Sequence, residues 1–139
     1  MRALVTGLST YWGGRVAQAL EQRSDVEVVV GVDTRDPRTP LERTEFVRTD
    51  SSHSILSRIV RATQVDTIVH THLVVDSTRA TSRALHEINV IGTMNLLAAA
   101  GAPSIMHGIE KDLARPVYGL AENLFRDLPV VGTLWSRSG

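Results

Sequence analysis

The stretch that most constrains the fold is Arg2 to Val16, RALVTGLSTYWGGRV. Ala3 to Thr6 reads as a short apolar strand that runs into Thr6-Gly7, and a helical pattern begins near Gly13-Gly14. A strand that breaks at glycine and re-enters as a helix gathers free backbone N–H groups and a positive dipole end at one point. That arrangement suits a phosphate or pyrophosphate. Gly7 permits the sharp exit from the strand, and Gly13 lets the helix lie close to the sheet. The middle position, where dinucleotide-binding loops use glycine for close backbone approach, holds Thr10 or Tyr11 according to register. A Cβ there is expected to crowd the pyrophosphate unless the loop bulges. Trp12 reads as a packing residue or a lid on the adenine side.

The rest of the chain up to about residue 100 extends this pattern. Val16, Ala17, Ala19 and Leu20 share a helical face, with Gln18, Glu21 and Gln22 expected to point away. Val26 to Val32 is β-branched and nearly continuous, as in a strand covered on both faces. It ends at Asp33, about twenty residues past Gly13. A carboxylate at that strand end can accept hydrogen bonds from an adenosine ribose and repel a 2′-phosphate, favouring NAD over NADP; Arg35 nearby leaves NADP as the lesser expectation. Asp36-Pro37 and Thr39-Pro40 mark a loop with one helical turn near Leu41 to Arg43. Glu45 to Arg48 reads as a third strand, closed by Thr49-Asp50. Ser51 or Ser52 can cap a helix through Ala62, and Val65 to Leu73 is a fourth strand. A long helix from about Thr78 to Ala100 follows, ended by Gly101-Ala102-Pro103. Strands alternating with helices predict an α/β, Rossmann-like parallel sheet with helices on both faces.

Composition narrows the function classes. Fifteen basic residues balance fifteen acidic ones, so no net field draws the chain toward nucleic acid. Cysteine is absent, which removes disulfides and thiolate chemistry. No apolar run of about 18 residues occurs, so no membrane span is expected. The first strand begins so near Met1 that no leader peptide is expected, which makes the cytoplasm the expected location. His70 and His72 lie on one strand face, but with no third ligand in view the reading is sheet-end packing for one and a cleft border for the other, with no metal.

Thr6-Gly7…Gly13, Asp33, Asp50, VDTIVHTHL (Val65 to Leu73) and above all NVIGTMNLLAAA (Asn89 to Ala100) resemble the extended short-chain dehydrogenase/reductase family, in its NAD-dependent epimerase/dehydratase branch. The resemblance covers residues 1 to about 100. It implies a Rossmann fold with Gly7, Thr10, Tyr11, Trp12 and Gly13 around the pyrophosphate and Asp33 with Arg35 at the ribose. Asp50 and Ser51 would lie near the adenine, and the strand end at His70, Thr71 and His72 would line the cofactor. Asn89 matches the helix asparagine that, in the family, helps hold the active-site water and lysine geometry. The chain departs from the family at the middle glycine and at His72, where a small residue is usual.

The family's chemistry uses a tyrosine four residues before a lysine, whose charge lowers the tyrosine pKa. Here Tyr11 is followed at that spacing by Arg15 and Tyr118 by Glu122, and Lys111 is the one lysine. The expected role is therefore the NAD-binding part of an oxidoreductase, catalytically incomplete within these residues. The alternatives are a non-catalytic dinucleotide- or partner-binding module, and a fragment of a reductase–acyltransferase fusion. The last rests on LAENLFRDLPVVGTLWSRSG (Leu120 to Gly139), which resembles part of a glycerolipid acyltransferase domain, with His107 and Asp112 at an H-x4-D spacing. The division expected is a dinucleotide domain over 1–102, truncated after the fourth strand and its helix, and an irregular tail over 103–139 that either packs on the sheet or belongs to a second, incomplete domain. A homo-oligomer contact or a further C-terminal domain is the expected macromolecular partner.

Overall fold

A computed structural model describes residues 1–74, 76–101 and 133–136. Its elements are β1 (Arg2–Thr6), α1 (Tyr11–Glu21), β2 (Val28–Asp33), β3 (Thr44–Arg48), α2 (His53–Thr63), β4 (Thr67–His70), α3 (Ser82–His86), α4 (Gly92–Ala100) and β5 (Thr133–Ser136). The sheet order is β3-β2-β1-β4-β5, with the first four strands parallel. β5 is antiparallel to β4, from Thr67 opposite Ser136 to His70 opposite Thr133. Backbone from the tail thus adds a fifth strand to the four expected before it. The other expectations for the tail, including the acyltransferase-like residues from His107 to Gly132, lie outside the described residues.

Alternation of side chains along the strands divides the core in two. Leu4, Val30 and Ile68 face Leu56, Val60, Leu96 and Ala99 of α2 and α4. Ala3, Val5, Val29 and Val69 face Val16, Ala17 and Leu20 of α1. β1 and β2 carry apolar residues on both faces because both faces are covered, which is why those segments read as continuous apolar runs. The C-terminal ends of β1, β2 and β4 consequently meet at one rim, where the Gly7 turn sits.

Four local readings are corrected. Glu21, expected to point away from the core, is 7% exposed. Its carboxylate accepts from the N–H groups of Glu42 (3.0 Å), Arg43 (2.7 Å) and Thr44 (2.7 Å) and from the Thr44 hydroxyl (2.7 Å). Those contacts hold Glu42 and Arg43 as bends instead of the expected helical turn over 41–43. β4 ends at His70: the Thr71 N–H closes the ladder on the Thr6 carbonyl, and beyond it the Leu73 N–H turns back to the Thr71 carbonyl. Finally, the long helix starts at Ser82, capped by the Thr81 hydroxyl, after a separate 3-10 turn at Ser77–Arg79, and it widens into a π-turn at Glu87–Ile91.

The link from β2 to β3 contains no helix. Residues 34–43 instead run along one face of α1. Thr39 lies against Gly14, the Gln18 amide donates to the Pro40 carbonyl at 3.1 Å, and Glu21 receives residues 42–44. Positions 14, 18 and 21 stack on one side of a helix. The segment is a strap in the place of a crossover helix.

Candidate functional site

The Gly7 turn is fixed by contacts that tolerate no side chain. Gly7 has φ +74°, a left-handed conformation, and a Cβ built there would lie 2.6 Å from the His72 nitrogen. Its N–H donates to Val32 and its carbonyl receives both the Thr10 N–H (2.9 Å) and the Thr10 hydroxyl (2.7 Å). A Cβ on Gly13 would stand 2.1 Å from the Gly7 carbonyl oxygen, so the glycine sets how closely α1 approaches the turn. Thr10 is the residue at the middle position, and it is the N-cap of α1: its oxygen accepts from the Gly13 N–H at 3.0 Å. The side chain folds back into the turn, 3.4 Å from the Thr71 hydroxyl, which donates to the Thr6 carbonyl at 2.7 Å. Tyr11 is 68% exposed and meets the half-buried Trp12 edge to face.

Asp33 is 4% exposed at the end of β2. One carboxylate oxygen accepts from the Ser9 N–H at 2.8 Å and the other from the Arg35 N–H at 3.2 Å. Burial works against its charge. Hydrogen bonds from Ser9, then the Arg35 N–H and a smaller pull from His72, outweigh that burial and hold the carboxyl below its ordinary range. Asp33 is therefore ionised at neutral pH and keeps acceptor capacity on each oxygen. Arg35 contributes backbone to this arrangement, and its residue is exposed.

A small, partly open cleft lies at this rim. Of the residues expected from sequence, Gly7, Asp33, Asp50, Ser51, His70 and His72 line it. Thr10, Gly13 and Thr71 stand behind its wall in the turn network. Asp50 is exposed and receives the Ser52 N–H, which lowers its pKa. Ser51 offers its carbonyl to the Asn95 amide at 2.9 Å. Ser52 occupies the N-cap of α2, yet its hydroxyl makes no cap bond and is buried without a partner among the described residues. Asn89 does not line the cleft. Its amide clasps Val74, accepting from the Val74 N–H and donating to the Val74 carbonyl, both at 2.8 Å.

His70 is 4% exposed and hydrogen-bonded at both nitrogens, to Thr6 Oγ1 at 2.6 Å and Thr93 Oγ1 at 2.9 Å. Burial, with repulsion from His72 behind it, lowers its pKa to about 4, so the ring is neutral. Sequence reasoning missed Thr6, Ser9, Gly92 and Thr93 as parts of this region. Ser9 acts through its backbone, which no residue pattern signals. Thr93 lies within the motif already singled out, one helical turn past Asn89.

These groups fit a dinucleotide. The first-turn N–H groups of Tyr11 and Trp12 have no acceptor among the described residues and point from the helix start. Gly7 and Gly13 leave backbone bare at the turn, and an ionised carboxylate waits at the β2 end. A family model described as the NAD dependent epimerase/dehydratase family matches residues 3–113. The chain belongs to that family. An uncharacterized protein of Mycobacterium tuberculosis (strain ATCC 25618 / H37Rv) is 35% identical over 122 residues, covering 84% of this chain and 32% of its own length. The same figures hold for an uncharacterized protein of Mycobacterium bovis. This member of the family thus spans about a third of the length of the relatives it matches. Among solved structures, L-threonine dehydrogenase from Phytophthora infestans is 26% identical with TM-score 0.64, over 76% of this chain and 34% of that one. UDP-glucose-4-epimerase from Stenotrophomonas maltophila, crystallised with bound NAD and formylated UDP-arabinopyranose, shares the fold at 20% identity and TM-score 0.62, over 72% and 33%. Among the described residues no helix is long and apolar enough to cross a membrane.

Proposed function

We propose that these residues form the NAD-binding portion of an epimerase/dehydratase-like oxidoreductase. Asp33 carries the reading: it is a buried, ionised carboxylate held at the strand rim beside the glycine turn, with its orientation fixed by the Ser9 and Arg35 N–H groups. The ribose hydroxyls of the adenosine half would donate to it, and a 2′-phosphate would meet its charge, so NAD is favoured over NADP. The pyrophosphate would accept from the N–H groups of Tyr11 and Trp12, and Asp50 with Ser51 would border the adenine. Bound NAD would supply the hydride chemistry. The chain's own part is to bind and orient it, since no Tyr-x-x-x-Lys occurs in the 139 residues.

The test is calorimetric titration with NAD⁺ and NADP⁺, repeated with Asp33→Ala. Saturable NAD⁺ binding, at least about tenfold weaker for NADP⁺ and for the variant, supports the reading; a tenfold change corresponds to the loss of one hydrogen bond to a charged group. Equal affinities in all three titrations, or none for wild type, refute it. A second reading, as a partner-binding module, draws on Val90, Met94 and Leu97. These are 42%, 59% and 50% exposed and share a helix face at i, i+4 and i+7. Light scattering on the eluting chain tests it, and a monomer at all concentrations rules out a contact between copies.

A further inference from the structure

The buried hydrogen bonds around His70 define a direction. Thr93 has one hydroxyl proton, and it donates to the Asn89 carbonyl at 2.7 Å. Toward His70 the Thr93 oxygen must then accept, so His70 Nε2 carries the hydrogen. In a neutral ring Nδ1 is left as an acceptor, and the Thr6 hydroxyl donates to it. The chain of donors therefore runs Thr6 to His70 to Thr93 to the Asn89 carbonyl, from the last residue of β1 to the π-turn between α3 and α4. The π-turn has shifted its own bonding by one residue, with the Gly92 N–H going to the Glu87 carbonyl, and the Thr93 hydroxyl occupies the Asn89 carbonyl in the widened turn. Asn89 then spends both ends of its amide on Val74, at the end of the segment that begins with Thr71 and the cleft residue His72.

We infer that His70 is the positioning residue of the cleft wall: held as the neutral Nε2–H tautomer, it pins the π-turn to the sheet so that Asn89 holds residues 71–74 against the Gly7 turn. The wall needs such a brace. His72 backbone lies where even a methyl group on Gly7 would collide, so a shift of residues 71–74 moves one side of the cleft directly. Both ring nitrogens of His70 are taken up by Thr6 and Thr93, so it acts on the wall through Thr93 and Asn89. Its value for binding rests on the dinucleotide reading, but its geometry does not.

Two measurements on the full chain test this. Nitrogen NMR of the histidine ring at neutral pH should show His70 protonated at Nε2 alone; an Nδ1–H form or a cation would overturn the inference. Amide exchange at Val74 and NAD⁺ affinity should then be measured for Thr93→Val, His70→Leu and His70→Gln. Thr93→Val keeps the side chain's shape, and glutamine keeps one acceptor and one donor. Thr93→Val and His70→Leu should speed Val74 exchange and weaken NAD⁺ binding about tenfold each, and His70→Gln should recover most of both. Val74 exchange unchanged in Thr93→Val, with that variant folded by circular dichroism, would sink the idea. If wild type bound no NAD⁺, the dinucleotide reading would fall while tautomer and exchange still decided this one.

Discussion

Replacing Gly13 by alanine tests whether the helix-to-turn approach is the determinant of the site. The added Cβ would sit 2.1 Å from the Gly7 oxygen and 2.7 Å from Thr71 Oγ1. Real contacts stay above 3.0 Å, so something must retreat by about 1 Å. The Gly7 carbonyl cannot give way easily, because two bonds from Thr10 hold it and the Gly7 N–H is tied to Val32 on the other side of the residue. The start of α1 must move instead. Overpacking of this kind costs about 3 kcal/mol, against a helix-propensity gain of at most about 1 kcal/mol. The net loss of about 2 kcal/mol corresponds to a fall of about 8 °C in Tm for a chain of this size. Gly14→Ala is the control. It receives the same propensity gain, and its new Cβ meets Thr39 on the strap at Oγ1 (2.1 Å) and Cβ (2.8 Å); rotation of the side chain relieves the first contact, and a shift of the strap by a few tenths of an ångström relieves the second. It should change stability by no more than about 1 kcal/mol in either direction. Thermal and urea unfolding followed by circular dichroism measure both, and NAD⁺ titration should show loss of binding for Gly13→Ala alone. A Gly13→Ala protein as stable as wild type, or less perturbed than Gly14→Ala, would refute the reasoning.

Other outcomes follow from the same contacts. Thr10→Gly removes the N-cap bond and the hydroxyl's hold on Gly7, costing at most about 1 kcal/mol of stability, since glycine is itself a tolerated N-cap, while opening the turn to a phosphate. Calorimetry should show NAD⁺ bound more tightly, and unchanged or weaker binding would mean the threonine does not crowd the site. His70, with a folded pKa of about 4 against 6.5, takes up its proton more readily when unfolded, so its contribution is complete above pH 6.5 and is lost as pH falls toward 4. That loss is on the order of 3 kcal/mol. Urea unfolding at neutral and acidic pH should show wild type losing this much more than His70→Gln, and parallel losses would contradict the burial argument. Glu21→Gln keeps the shape but turns an amide toward three N–H groups, and should cost about 2 kcal/mol in urea unfolding. The Glu21 carboxyl lies below its ordinary range because the Thr44 hydroxyl and the backbone N–H groups outweigh burial. Its contribution is therefore present above the unfolded carboxyl pKa and disappears as pH falls through the folded one. The variant should lack that share of the acid sensitivity.

The four parallel strands and the glycine turn were legible because their signals are local. Val28 to Val32 and Ala3 to Val5 are apolar at successive positions, which only a sheet covered on both faces explains. The turn was legible through Gly7 and Gly13, which do steric work that no other residue can do. Glu21 was misread because a helical wheel shows which residues leave the sheet, but not that a loop twenty residues later will lie over one of them. The break before Ser82 escaped notice since Thr78 and Thr81 are both good caps, and only Thr81 begins the helix. The π-turn leaves no trace in apolar spacing, for one extra residue in a turn shifts the pattern by less than the pattern's own irregularity. The pairing of β5 joins distant segments, which periodicity does not report.

The strap along α1 also fixes an order of assembly. Residues 42–44 reach their place through contacts that belong to α1, so β3 has nothing to align it until the β1–α1–β2 unit has formed. The expected order therefore puts strand three last, at the edge of the sheet, with its contacts formed after the folding barrier. On that view Glu21→Gln should accelerate unfolding and leave the refolding rate nearly unchanged, a φ-value near zero in stopped-flow measurements. A value near one would place the strap in the nucleus. The carboxylate that holds β3 in the finished protein would then guide the chain there as well.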